Sequence, residues 1–272
     1  MDDERQGKIE LFSQKMRATG YSSRTISTYS AFVRSVMDSF GTSRLLRVSS
    51  DKIYAYSSEL KSDSSRHQLL NALKCYFRLM ENNTTKINKI ERPKKKESIP
   101  MVYSIAQVQR VIKSVKNIKH RTILSVLYGT GIRREELINI ELSHINRSRE
   151  ALRVVEGKGN KTRETVCSKT LIAQLDTYWK VCRPKKYLFE GVGGERYSAE
   201  SVYNVVKRAF ANHGLKASPH TLRHCFTTHL LEADVSTRKI QKMLGHKRIT
   251  TLEVYSKLVK IGSLSPLDLI SY

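Results

Sequence analysis

Cysteine is scarce in this sequence of 272 residues, and the four cysteines that occur lie far apart. They are Cys75, Cys167, Cys182 and Cys225. Because no two of them form a CxxC pair, the sequence favours neither a disulfide framework nor a zinc knuckle. Their scatter is typical of small, buried, reduced residues.

Long apolar runs are also missing. Stretches such as residues 122–128 are far shorter than the roughly 20 apolar residues that a membrane-spanning helix requires. Residues 1–4 read Met-Asp-Asp-Glu, which lacks the charge and apolar pattern of a signal peptide. We therefore expect a soluble cytoplasmic protein with no membrane partner.

Acidic side chains are only about half as frequent as basic ones. The chain has 25 Asp and Glu against 49 Lys and Arg, which gives a formal net charge of +24 and a pI near 10.0. Residues 1–100 carry +8 of this charge and residues 101–272 carry +16. A globular protein with such an excess needs an anionic partner, most often nucleic acid, so we expect both halves to face DNA.

The first 80 residues contain no proline and repeat apolar residues at helical spacing. Serine-rich starts at residues 22–23, 49–50 and 62–64 offer N-caps, so a bundle of four helices is predicted as an N-terminal domain over residues 1–84. Residues 85–103 place two prolines around Lys94, Lys95 and Lys96, which predicts a basic linker. We interpret the lysines as DNA phosphate contacts, with a solvated spacer as the alternative.

Residues 104–272 read as helices around one β-hairpin. Alternating β-branched residues predict strands at 151–156 and 163–167, joined by a Gly-Lys-Gly-Asn turn. Helical patterns cover residues 170–181, 199–212, 220–231, 237–244 and 250–259. The predicted fold class is therefore mainly α with a small β-sheet.

Two common kinds of phosphate chemistry have no motif here. No GxxxxGK[ST] loop occurs, and no Asp, Glu and His cluster has two-metal spacing, so we expect neither ATP nor a metal ion nor another cofactor. A phosphodiester can instead be attacked by a side chain while fixed cations stabilise the transition state. That chemistry needs arginines, a general acid and a nucleophile.

Two segments offer arginines at helix starts. His220 and Arg223 lie three residues apart at the start of one predicted helix, and Arg133 follows a glycine turn with Glu136 one helical turn later. Arg133 either forms a local ion pair or binds phosphate. Because Glu135 precedes Glu136, either carboxylate can be the partner of Arg133. Lys158 at the hairpin tip is either a turn residue or a mobile cation.

The remaining candidates come after the predicted helix at 237–244. His246 comes after a helix-ending glycine, and Tyr255 lies nine residues further on. A tyrosine hydroxyl is a poor nucleophile unless nearby positive charge favours the phenolate, and any one of the 13 tyrosines has a packing role as its simpler interpretation. His224 and His229, on the His220 helix, are interpreted as structural.

Taken in order, these motifs closely resemble the tyrosine site-specific recombinases of the Xer type. They are TGIRxxEL at 130–137, GKGNKxR at 157–163, HTLRH at 220–224, LGH at 244–246 and Tyr255. Residues 20–29 and 69–80 also look like the N-terminal core-binding domain of that family. The resemblance implies a two-domain C-shaped clamp, in which a SAM-like helical bundle precedes a catalytic domain at 104–272.

The resemblance also implies a role for each site residue. Tyr255 would attack the scissile phosphate and form a 3′-phosphotyrosyl link, while Arg133 and Arg223 hold the non-bridging oxygens. Glu136 would orient Arg133.

Further roles follow from the same resemblance. Lys158 would protonate the leaving 5′-oxygen, His220 would transfer a proton at the tyrosine, and His246 would hydrogen-bond the phosphate. We also expect DNA contacts from six further cations. These are Arg24, Lys161 and Arg163, together with the linker lysines.

The implied assembly is a homotetramer on two double-stranded DNA sites, acting through a Holliday junction, with a monomer or dimer when free. The apolar tail at about 257–272 would dock on the neighbouring protomer, with folding back onto its own protomer as the rival. The implied role is resolution of chromosome dimers at a dif-like site, and so chromosome partition at cell division. Alternatives are an integrase or resolvase of a mobile element or plasmid, a type IB topoisomerase, and a non-catalytic DNA-binding regulator.

Overall fold

The computed structural model describes residues 2–93, 100–155 and 162–245, which are mostly helical with one small sheet. The predicted mainly α fold class is confirmed. The chain divides into two compact units, Met1–Glu97 and Ser98–Tyr272. Within the described ranges, no helix is both long enough and apolar enough to cross a membrane.

The first unit is a helical bundle in which three helices begin at a serine N-cap. Ser22, Ser49 and Ser62 each accept a backbone N–H through the side chain, which confirms the predicted caps. Apolar side chains such as Phe12 and Phe77 are fully buried between the helices. The helices are α1 (Asp2–Ala18), α2 (Ser23–Ser39), α3 (Ser50–Ser58), α4 (Asp63–Met80) and α5 (Thr85–Asn88), with a 3-10 turn at Leu45–Arg47 between α2 and α3.

The first unit continues beyond residue 84, where the sequence predicted its end. Ile87 of α5 and Ile90 are buried in the same core as the longer helices. A single helical turn in a Lys- and Asn-rich stretch has too few apolar residues to show a period, which is why the pattern predicted a linker. The linker lysines at 94–96 lie outside the described residues.

The second unit surrounds a three-stranded antiparallel sheet with helices. The predicted hairpin is confirmed, with Ala151 opposite Val166 and Val155 opposite Thr162. The edge strand at residues 145–146 was not predicted, because two residues cannot show alternation. The predicted helix at 250–259 lies outside the described residues. The elements are α6 (Ile105–Ser114), α7 (Ile118–Thr130), α8 (Arg134–Leu137), β1 (Ile145–Asn146), β2 (Ala151–Val155), β3 (Thr162–Val166), α9 (Lys169–Cys182), α10 (Ala199–Ala211), α11 (Pro219–Glu232) and α12 (Thr237–Leu244), with 3-10 turns at Leu142–His144 and Val192–Gly194.

Helix α7 lies at the centre of the second unit. Its residues 122–127 are all buried, and it packs against α6, α9, α10 and α11. A helix that is apolar on every side belongs inside the core. Strand β3 reaches the end of this helix, because the Thr165 hydroxyl donates to the Thr130 carbonyl at 2.8 Å. The end of α7, where the turn after Thr130 begins, is therefore fixed by packing and by this hydrogen bond.

Candidate active site

The turn after α7 requires a glycine. Gly131 ends the helix in the left-handed conformation, with φ of 65°. A Cβ added there would lie 2.3 Å from Cδ1 of Phe226 on α11, which is far inside van der Waals contact. Glycine is thus needed both for the backbone conformation and for the close approach of α11. The turn places Arg133 directly at the start of α8.

Glu136 holds Arg133 by two hydrogen bonds. Arg133 donates its backbone N–H to Glu136 Oε2 and its Nη1 to Oε1, both at 2.7 Å. The carboxylate is 8% exposed, whereas the Arg133 side chain is 37% exposed. Glu135 pairs with Arg134 instead, at 2.9 Å. The structure therefore selects Glu136 as the acidic partner of Arg133 and leaves more than a third of the Arg133 side chain exposed.

A second arginine, on strand β3, hydrogen-bonds to the same carboxylate. Arg163 on β3 donates Nη1 to Glu136 Oε1 and Nη2 to Oε2, both at 2.8 Å, while its Nε donates to the Met243 carbonyl at 2.8 Å. Arg163 is only 11% exposed. The sequence predicts a DNA contact for this arginine, whereas in the structure its Nε, Nη1 and Nη2 all donate to groups within the protein.

The two arginines give Glu136 a strongly acidic carboxyl. Burial alone raises its pKa, but hydrogen bonds from Arg163 and Arg133, together with their positive charge, outweigh burial and lower the pKa to about 2. Glu136 is therefore ionised throughout the physiological range. A fixed negative charge at this point keeps both guanidinium groups oriented.

Arg223 joins the glycine turn to the end of α12. It is buried on α11, whose start is set by Ser218 as the N-cap and Pro219 as the first helical residue. Its Nη1 donates to the Gly131 carbonyl at 2.7 Å and its Nη2 to the Leu244 carbonyl at 2.8 Å. Arg223 thus lies beside the turn that carries Arg133.

His220 lies one helical turn before Arg223 and is exposed. Partial burial of the ring, followed by the positive charges of Arg223 and Arg133, lowers the pKa of His220. The imidazole is therefore neutral at pH 7 and has a nitrogen lone pair that can accept a proton. The structure brings Arg133, Arg223 and His220 within electrostatic range of one another.

The other two histidines of α11 differ in environment. Burial, with the nearby His220 and Arg223, lowers the pKa of His224 to about 4. His229 is paired on both ring nitrogens, since Nδ1 lies 2.8 Å from the Tyr128 hydroxyl and Nε2 lies 3.0 Å from the Tyr103 carbonyl. His229 has the structural role that the sequence predicted.

The described residues include only some of the predicted site residues. Lys158, Lys161, His246 and Tyr255 lie outside the described residues, as does the tail at 257–272. Arg24 is exposed on α2 of the first unit. In the described part of the chain, no three His, Cys, Asp or Glu side chains are grouped as metal ligands would be.

The sequence matches a known family over most of the second unit. The phage integrase family model matches residues 102–260. The tyrosine recombinase XerA of Pyrococcus horikoshii is 31% identical over 254 residues, covering 92% of this chain and 88% of that protein. The chain belongs to the phage integrase family. It is a site-specific tyrosine recombinase with Xer-type relatives.

Solved structures of recombinases share the fold of this phage integrase family member. XerH site-specific recombinase bound to palindromic difH substrate in a post-cleavage complex gives a TM-score of 0.73 at 19% identity, covering 86% of this chain and 76% of that chain. A lambda integrase tetramer bound to a Holliday junction gives 0.76 at 17% identity, covering 92% and 76%. At identities below 20%, these similarities establish the fold of the chain and nothing further.

The sequence did not predict that Arg163 of this recombinase binds Glu136 and Met243 within the protein. A usable signal was the period of two along β3, which places Arg163 on the same face as the buried Thr165 and opposite to the exposed Thr162 and Glu164. An arginine on the inward face of a strand needs an internal carboxylate or carbonyl partner. The motif context favoured DNA and obscured that signal.

Proposed function

We propose that this recombinase cleaves DNA by attack of the Tyr255 hydroxyl on the scissile phosphate. The new tyrosyl P–O bond forms as the bond to the 5′-oxygen breaks, which leaves a 3′-phosphotyrosyl link and a 5′-hydroxyl. Attack by a 5′-hydroxyl from the partner duplex reverses the step and rejoins the strands. Because the phosphodiester bond energy is kept in the covalent intermediate, the reaction needs no nucleotide hydrolysis.

The observation that carries this proposal is the convergence of two arginines at the Gly131 turn. Arg223 is bonded to the Gly131 carbonyl at 2.7 Å, and Arg133, two residues further along, is oriented by Glu136. A guanidinium is a delocalised cation with several N–H donors in one plane, which suits it to stabilise charge on phosphate oxygens. Since both groups are held before DNA binds, they can stabilise the phosphorane without reorganising, and losing one such donor typically costs about 3–4 kcal/mol.

Three further groups complete the proposed chemistry. His220, neutral at pH 7 because its pKa is lowered, would accept the proton of the Tyr255 hydroxyl. Lys158 would give a proton to the departing 5′-oxygen, and His246 would hydrogen-bond a phosphate oxygen. His220 and Lys158 would each move one proton, and the two arginines would stabilise the negative charge on the phosphate.

We further propose an Xer-type biological role. The chain would act as a homotetramer on two double-stranded DNA sites, pass through a Holliday junction and resolve chromosome dimers at a dif-like site. Support comes from the XerA relative, which aligns with nearly the whole chain, and from the shared fold of XerH on difH and of lambda integrase on a Holliday junction. Action on a mobile element or plasmid is the alternative.

Capture of the covalent intermediate tests the chemical proposal. A duplex library with a randomised centre is incubated with the protein, and the adducts are recovered after denaturation. The recovered sequence is then made with a nick beside the cleaved phosphate, so that the released fragment diffuses away and cleavage cannot reverse. We expect an adduct with the wild type and none with Tyr255→Phe. An equal adduct with Tyr255→Phe would assign the nucleophile elsewhere, and DNA binding without any adduct would favour a non-catalytic regulator.

The same captured sequence tests the biological role. If the sequence maps to a single chromosomal site where replication ends, the Xer-type role is supported. If it maps to the ends of a mobile element or to a plasmid, that alternative replaces it.

A further inference from the structure

Two arginines hold the last turn of α12. Arg163 Nε donates to the Met243 carbonyl and Arg223 Nη2 donates to the Leu244 carbonyl, both at 2.8 Å. The last carbonyls of a helix have no partner within the helix, so they need donors from elsewhere. Here the donors are charged: Arg163 of β3 lies 80 residues before Met243, and Arg223 of α11 lies 21 residues before Leu244.

Gly245 is fitted to the Arg163 side chain. It ends α12 in the left-handed conformation, with φ of 66°. A Cβ built on Gly245 would lie 2.9 Å from Cδ, 3.1 Å from Nε and 3.3 Å from Cζ of Arg163. The end of the helix therefore rests directly against this guanidinium, independently of the hydrogen bond to Met243.

The other edge of the same guanidinium binds Glu136 through two bonds of 2.8 Å. Glu136 in turn orients Arg133. One rigid planar group thus connects the Glu136 and Arg133 pair to the point where α12 ends. A lysine at this position would supply a charge but not this fork, because its ammonium is a single compact point.

We propose that Arg163 is a positioning residue for DNA cleavage. It fixes the end of α12, from which the chain continues to His246 and Tyr255, relative to the Glu136 and Arg133 pair. This inference rests on the proposed function of Tyr255. Arg163 itself is not assigned a contact with the phosphate, because its guanidinium faces Glu136 and Met243.

A purely stabilising role for Arg163 is the competing explanation. A buried ion pair is weak support for stability, yet removing one partner leaves an uncompensated charge. The two explanations differ for a variant that removes both charges. If Arg163 only balances Glu136, removing both restores function; if Arg163 positions α12, the Met243 carbonyl still lacks its donor.

The test compares Arg163→Gln, Glu136→Gln and the double variant on the nicked duplex recovered with the wild type. Arg149→Gln is the matched control, because Arg149 is 67% exposed and pairs with Glu164 at the surface. Single-turnover cleavage rate and final adduct yield are measured separately, together with DNA affinity. Hydrogen exchange at the Gly245 amide, which donates to Gln241 at 2.9 Å, reports the last turn of α12 directly.

We expect Arg163→Gln to cleave roughly 10- to 100-fold more slowly, which is the loss that a displacement of about 1 Å causes at a reacting centre. DNA affinity and final adduct yield should be retained, and the Gly245 amide should exchange faster. The double variant should be as slow as the slower single variant and no slower, because both residues act through one connection. Arg149→Gln should match the wild type.

Other results overturn the inference. A wild-type rate for Arg163→Gln, recovery of the rate in the double variant, or a lower adduct yield at an unchanged rate would each assign Arg163 a stabilising role alone. If Arg163→Gln does not fold, the charge-balanced double variant decides the question by its rate. Failure of the proposed function is recognised separately, since the wild type would then give no adduct.

Discussion

The Glu136 carboxylate should contribute strongly to the stability of the second unit, and Glu136→Gln tests this. Its pKa lies at about 2, below the ordinary 4.5, because hydrogen bonds from Arg163 and Arg133 outweigh the effect of burial. At about 1.4 kcal/mol per pKa unit, this lowering corresponds to roughly 3 kcal/mol. Glutamine keeps the shape of the side chain but removes the charge, so a loss of about that size is expected at pH 7.

The pH dependence gives this prediction a definite sign. A carboxyl whose pKa is lowered by folding stabilises the folded state above its unfolded-state pKa, and that contribution is lost as the pH falls through the folded pKa. The difference between wild type and Glu136→Gln should therefore be full above about pH 5 and shrink as the pH falls from 4.5 towards 2.

Denaturant unfolding followed by tryptophan fluorescence measures this difference. Trp179 is the only tryptophan in the sequence and lies on α9, so it reports the second unit specifically. Glu135→Gln is the matched control, because Glu135 is adjacent but 60% exposed and pairs with Arg134 at the surface. Equal losses for the two variants, or a Glu136→Gln deficit that does not change between pH 7 and pH 3, would refute the reasoning.

Three other variants test different parts of the chain. Gly131→Ala should destabilise the second unit far more than Gly214→Ala in denaturant unfolding, because both glycines have positive φ but only Gly131 meets Phe226 at 2.3 Å; equal losses would leave the contact without effect. Replacing the lysines at 94–96 by alanine should reduce the slope of log affinity against log salt by about 2.7 if all three contact phosphate, and an unchanged slope would make the segment a spacer. Deleting the residues after Lys260 should abolish recombination while a monomer still binds DNA, as measured by gel shift and strand exchange; full recombination by the truncated chain would exclude a docking role for the tail.

Local patterns were sufficient to predict many of the elements. The serine caps at Ser22, Ser49 and Ser62 and the apolar spacing after each of them defined three helix starts, because capping and helical period act between residues close in sequence. The hairpin followed in the same way from alternation around a glycine-rich turn. The helix at 85–88 and the strand at 145–146 were missed, since each is too short to show a period.

The candidate site also has features that the sequence determined and features that only the fold determined. The sequence by itself determined which residue types were available: arginines after a glycine turn and at a helix start, a histidine one turn from Arg223, and the ordered motifs of the phage integrase family. Part of the need for glycine at residue 131 is local, because the backbone ends the helix there with a positive φ that glycine adopts readily.

Tertiary packing alone decided how those residues are connected. Burial of Glu136 and exposure of Glu135 selected the partner of Arg133 from the two adjacent carboxylates that the sequence left open. Arg163 is 27 residues from Glu136 and 80 residues from Met243, yet it hydrogen-bonds to both. Such contacts depend on how β3 and α12 meet in the folded unit, and no local period or propensity encodes that meeting. The sequence therefore determined the chemistry available to this recombinase, and the packing of the second unit determined which side chains face outward and which hold the others in place.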